Sequence, residues 1–194
     1  MLEKPINVLF LCTHNSARSI LAEACLNRIG KGRFKAFSAG SSPRENQQPN
    51  PMALEVLRAA SIPTEGLRSK SWDEFGKPDA SRVRRAGPPQ ASTAPSGGSA
   101  LHDAKSVGVI FDLVITVCDN AAGEVCPYWP GQPATAHWGY ADPSETEGTE
   151  EEKLTAFRHT LHALRRRLDL LVNLPPASVS RLMLQDSARD LAKS

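Results

Sequence analysis

Apolar and polar positions alternate between two periods along this chain, and that switching defines the expected elements. Residues 6–12, INVLFLC, form an apolar run with β-branched members, which suits a strand buried on both faces. From Ala17 to Ile29, the positions Ile20, Leu21, Ala24, Cys25 and Ile29 recur at helical spacing, and Gly30 is a stop signal. A second strand is expected over 33–40, RFKAFSAG. Asn50 followed by Pro51 reads as a cap and first turn opening the helix MALEVLRAASI. FDLVITVC (111–118) reads as a third strand and ATAHWGY (134–140) as a shorter fourth. Over 151–174, Leu154, Phe157, Leu161, Leu164, Leu168 and Leu171 share one face of a long amphipathic helix. Acidic residues precede this helix, Pro175 and Pro176 end it, and a short last helix follows. Alternating strands and helices predict an α/β layer fold with a parallel sheet and a ligand site beyond the strands' carboxyl ends. Cys12 and Cys118 close two of those strands, which places both thiols on one sheet edge.

Residues 76–106 break the pattern. This stretch is rich in Pro, Gly, Ser and Ala without an apolar period, and it is expected to be a flexible insert in a single domain spanning 1–194. A length of 194 residues and 40% hydrophobic content suffice for one core. A net charge of +2 gives no support for a nucleic-acid binder, and no run is long enough to span a bilayer. The N-terminus reads as a strand rather than a signal peptide, so a cytoplasmic location is expected. In that reducing setting the four cysteines are not expected to form structural disulfides, which leaves metal binding, catalysis, redox cycling or burial.

The turn CTHNSARS (12–19) carries the candidate chemistry. In a strand–loop–helix turn, the amides of Thr13, His14, Asn15, Ser16, Ala17 and Arg18 can converge on an oxyanion. The helix adds its positive end, and Arg18 supplies a planar fork. The same field favours thiolate at Cys12, with Ser19 donating to the sulfur and Asn15 shaping the loop. Cys25 falls on an apolar helix face and reads as core. His159, His162 and the run 165–167 read as solvated helix positions. Cys118, Cys126 and His137 lack a compact zinc spacing.

The stretches VLFLCTHNSARS, FSAG, NPMALEVL, SKSWDEF, VITVCDNAAGEVCPYWPG and HWGYADPS, with the long final helix, resemble one family. It is the arsenate reductases built on the low-molecular-weight protein tyrosine phosphatase fold. The resemblance covers most of 5–176 apart from the insert. It implies a three-layer α/β/α architecture with a four-stranded parallel sheet. It implies Asp142 of the ADPS stretch as general acid, and a relay in which Cys12 attacks arsenate, Cys118 attacks Cys12, and Cys126 passes the disulfide outward. No bound cofactor is implied. The external reductant would be thioredoxin, glutaredoxin with glutathione, or another low-molecular-weight thiol, and the enzyme would be a monomer. Some members hold a potassium ion beside the cradle, for which Asn15, Glu23 and Ser38 are the candidates.

Two departures bear on the activity. Ala17 stands where tyrosine phosphatases of this fold usually carry a second loop cysteine, which favours the reductase. Seven residues separate Cys118 from Cys126, one more than in thioredoxin-linked members, and this leaves the electron donor open. The alternative is a phosphotyrosine phosphatase working through a Cys12 phosphoenzyme, with Trp72, Tyr128 or Trp138 as an aromatic wall. A third reading is an oxyanion sensor without turnover.

Overall fold

The first strand is buried from Asn7 to Cys12, as its unbroken apolar run requires. In this computed structural model, residues 4–75, 109–119, 129, 131–174 and 181–192 are described. The order is β1 (Ile6–Cys12), α1 (Arg18–Ile29), β2 (Phe34–Gly40), α2 (Pro51–Ala59), β3 (Leu113–Thr116), β4 (Ala134–His137), α3 (Glu150–Val172) and α4 (Arg181–Leu191). The four strands form one sheet in the order β2-β1-β3-β4, and every pairing is parallel. This is the expected α/β class, consistent with the α/β/α expectation. The insert expected at 76–106 lies outside the described residues, as does Cys126.

Alternation within the strands splits the core. Val8 and Phe10 face a large cluster that includes buried residues of α1, α2, α3 and α4. Leu9 and Leu11 face a second cluster with Ala39, Phe111, Val114 and Trp129. The six apolar positions read from the α3 sequence are its six buried residues. β3 and β4 are shorter than expected. The last rungs of the ladder are the bonds from the Val117 amide to Leu11 O and from the Trp138 amide to Thr116 O, both 2.8 Å, and β3 ends at Thr116. No helix among the described residues is long and apolar enough to cross a membrane.

The helix starts differ in a way that matters for the site. Asn50 caps α2 through Met52 N, and Thr149 with Glu152 forms a capping box on α3. At α1 the cap position is Ala17, and no side-chain cap is made. No side chain therefore takes the first amides of α1, and the Ser19 amide turns to Cys12.

Candidate active site

The carboxyl end of β1 delivers Cys12 into the loop that opens α1. Cys12 Sγ lies 2.8 Å from Ser19 Oγ, and the Asn15 amide donates to the same sulfur at 3.2 Å. Asn15 is fully buried and left-handed (φ 53), a backbone that Asn tolerates. Its side chain fixes the loop from three directions. Nδ2 donates to Ser19 Oγ and to Ser38 Oγ, both at 2.8 Å, and Oδ1 accepts from the Lys70 amide at 2.9 Å. That last bond sets which way the amide faces. Ser19 Oγ therefore accepts from Asn15, and its own proton is directed to Cys12.

Close packing completes the loop. Ser41 N bonds Cys12 O (3.0 Å), Ser42 N bonds Thr13 O (2.9 Å), and Asn50 N bonds Ser16 O (2.8 Å). A Cβ at Gly40 would stand 2.6 Å from Thr13 O, so only glycine lets the end of β2 meet the loop. Burial pushes the Cys12 thiol above its ordinary range, and nearby Cys118 acts in the same direction. The Ser19 hydroxyl and the Ser19 and Asn15 amides pull it back. The net direction is upward. The sequence reading expected a depressed thiol because it counted the donors without the cost of burying the charge.

Arg18 and Asp142 meet each other. Arg18 Nη2 bonds Asp142 Oδ2 at 2.7 Å, and Nη1 donates to Tyr140 O at 2.8 Å. Asp142 Oδ1 also accepts from Ser144 N (2.9 Å), capping the turn Pro143–Glu145. The residues expected to grip the anion and to supply the proton are thus each other's partners. Cys118 is buried just beyond β3, and its Sγ lies 3.6 Å from Thr13 Oγ1 within the loop. Parallel pairing of Leu11 with Thr116 brings the two thiols to one edge, as the strand pattern implied.

A thiol in a six-residue amide loop, an arginine at its far end, and an Asp-Pro turn beside it are features that comparison with known proteins can test. The family model for low-molecular-weight phosphotyrosine protein phosphatases matches residues 7–79. The arsenate reductase of Bacillus licheniformis is 32% identical over 161 residues, which is 83% of this chain and 91% of that protein. The chain belongs to the arsenate reductases of the low-molecular-weight phosphotyrosine phosphatase fold. Solved structures agree on the fold. An arsenate reductase from Archaeoglobus fulgidus has a TM-score of 0.55 at 23% identity, covering 86% of this chain and 99% of its own. A low-molecular-weight protein tyrosine phosphatase from T. tengcongensis has a TM-score of 0.57 at 20% identity, covering 84% of this chain and 95% of its own.

The expected potassium ligands of this arsenate reductase family member do gather, but around a lysine. Lys70 Nζ lies 3.4 Å from Glu23 Oε2, 3.4 Å from Ser38 Oγ and 3.1 Å from Arg68 O. Ser38 Oγ also donates to Glu23 Oε2 in a short bond. The oxygens of Glu23 and Ser38 already face an ammonium, and Asn15 Oδ1 is taken by the Lys70 amide, so this donor set does not fit a potassium ion. Burial lowers the Lys70 ammonium below the usual lysine range, and Glu23 opposes that shift. Sequence reading missed Lys70. Its partners Asn15, Glu23 and Ser38 lie 55, 47 and 32 residues away in the chain, and no local spacing signals them.

Two other expectations change. Trp138 is fully buried, with Nε1 on Ala188 O at 2.7 Å, so it belongs to the core and forms no substrate wall. Trp72 packs partly buried against the second cluster, and Tyr128 lies outside the described residues. Arg167 is not a solvated residue. Its guanidinium sits 4.9 Å from the Tyr140 ring centroid and donates to Ala192 O at 3.2 Å. His159 and His162 are exposed, and Cys25 is core, as read from the helical spacing. His137 bonds Thr116 Oγ1 (2.8 Å) and Asp119 Oδ1 (2.9 Å), with no cluster of metal-ligating residues among the described ones. The cleft of about 700 Å³ that includes Arg28, Lys31, Arg33 and Arg165 sits by the start of β2, at the opposite end of the strands from Cys12.

Proposed function

We propose that this chain reduces arsenate to arsenite through a cysteine relay. The observation that carries the reading is the contact of Thr13, within the Cys12 loop, with Cys118 at 3.6 Å on the same sheet edge. The arsenate reductase relatives support it. An incoming oxyanion takes the Arg18 fork from Asp142 and accepts from the uncapped amides of α1. Asp142, released, carries a proton to the oxygen that leaves arsenic. Cys12 loses its proton and attacks; the S–As(V) bond forms and water departs. Cys118 then attacks the Cys12 sulfur. The S–As electron pair stays on arsenic, arsenite leaves as As(III), and a Cys12–Cys118 disulfide remains. Cys126 attacks Cys118, which frees Cys12 as a thiol. A thioredoxin-like dithiol, or glutaredoxin with glutathione, then reduces the Cys118–Cys126 bond. The working state in this reading is a cytoplasmic monomer.

The test is mass mapping of alkylated protein after one equivalent of arsenate without reductant. A Cys118–Cys126 disulfide, or a trapped Cys12–Cys118 bond in the Cys126→Ser protein, is expected. Four alkylated cysteines with rapid phosphotyrosine hydrolysis would overturn the reading in favour of the phosphatase. Cys118→Ser is expected to abolish arsenate turnover while sparing phosphate-ester hydrolysis.

A further inference from the structure

We propose that Lys70 is a built-in cation, a positioning residue whose ammonium takes the place of a bound monovalent metal ion and holds the oxyanion loop in shape. The proposal rests on the reading of the Cys12 loop as an oxyanion cradle. Four buried or nearly buried polar groups meet beneath that loop. Glu23 supplies the negative charge, with its side chain 13% exposed, and the Lys70 side chain is 7% exposed. The ammonium reaches a carboxylate, a hydroxyl and the carbonyl of Arg68, a set of oxygens that would otherwise suit a small monovalent cation. A buried carboxylate left without such a partner is costly. The Arg68 guanidinium does not compete for the place, because it pairs with Glu74.

The path from this cation to the nucleophile is short and has a direction. Ser38 donates to Glu23, so its lone pairs face Lys70 Nζ and Asn15 Nδ2. Asn15 spends its second amide hydrogen on Ser19, whose proton then points at Cys12. The Lys70 backbone holds the other end of the same asparagine and also accepts from Gly40 N at 2.9 Å. Lys70 thus acts on Cys12 through Ser38, Asn15 and Ser19, by main chain and side chain together. A metal ion at this place could dissociate; a lysine cannot. The expected phenotype is an oxyanion site indifferent to potassium.

The experiment uses the full chain in tetramethylammonium chloride and in potassium chloride at equal ionic strength, with inorganic phosphate as the probe. For the wild type, Tm and phosphate Kd are expected to be the same in both salts. Lys70→Ser is expected to lower Tm by on the order of 10 °C and to weaken phosphate binding about tenfold in tetramethylammonium. Potassium, and less so sodium, should restore a large part of both. Lys70→Met should show the losses without the restoration, because its apolar stem fills the cation's place. Saturable stabilisation of the wild type by potassium would overturn the proposal. So would a Lys70→Ser protein that potassium fails to restore, or one that binds phosphate as the wild type does. Neither readout requires arsenate chemistry. A wild type that fails to reduce arsenate yet shows this ion pattern removes the functional reading alone, and an active wild type with a potassium-dependent Tm removes this inference alone.

Discussion

Two buried cysteines, one ahead of α1 and one inside it, have different surroundings. Cys12 precedes α1 and is 3% exposed; Cys25 sits within α1 and is 0% exposed. Burial pushes both thiols up. Around Cys12 the opposing groups are hydrogen-bond donors, Ser19 and Asn15, themselves held by Ser38 and Lys70. Around Cys25 the influences are the charges of Arg165, which lowers it, and Asp169, which raises it, and the thiol reaches about 11. Burial alone therefore does not distinguish the cysteine proposed to react from the packed one. The distinction lies in donors aimed at the sulfur, and in the residues that keep those donors aimed.

The comparison breaks most severely at Asn15. Asn15→Ala removes three side-chain bonds and leaves Ser19, Ser38 and the Lys70 amide without their buried partner. A loss of about 3–4 kcal/mol in urea unfolding is expected, with phosphate affinity down about a hundredfold by calorimetry.

The next effect belongs to Cys25 and to alkaline pH. Its folded thiol holds the proton more tightly than the ordinary value of 9.0. That stability is fully present below pH 9 and is lost as pH rises towards about 11. The span corresponds to about 2.7 kcal/mol. Denaturation curves across that interval should fall less steeply for Cys25→Ala than for the wild type. Cys12 contributes in the same direction in both proteins, so the difference isolates Cys25.

At neutral pH, Cys25→Ala should cost about 1–2 kcal/mol for the small void it leaves, with phosphate binding unchanged. A changed phosphate Kd would mean that the two thiols are not independent. The smallest effect is on reactivity. Ser19→Ala removes the donor to Cys12, so iodoacetamide labelling of Cys12 near neutral pH should slow about tenfold, the equivalent of about 1.4 kcal/mol. Native Cys25 should stay unlabelled in both proteins.

The helical face of α3 and the register that joins Cys12 to Cys118 were legible because each is a local period or a strand end. The donors around Cys12 were legible because the loop's residues are contiguous, but the upward direction of its thiol was not, because burial sets it. What escaped is carried by contacts distant in sequence. Lys70 reaches Asn15 across 55 residues, and Arg18 reaches Asp142 across 124. Arg167 reads as one of three surface arginines until Tyr140 and the end of α4 are packed beside it. Trp138 shows the converse. A tryptophan next to the Asp-Pro turn looks like a substrate platform, and only the bond to Ala188 shows it facing inward.

The ion pair of Arg18 with Asp142 gives the guanidinium its own counter-anion. A chloride ion arriving there offers one diffuse charge and no pair of oxygens to match the fork, while the carboxylate it must displace is already bonded to both the guanidinium and the Ser144 amide. A tetrahedral oxyanion brings several acceptors at once, enough for the fork and for amides of α1 that no side chain caps. In the proposed reading the tethered carboxylate sets an entrance threshold: a ligand must win the exchange against a carboxylate held at both of its oxygens, which favours a tetrahedral oxyanion over univalent salt.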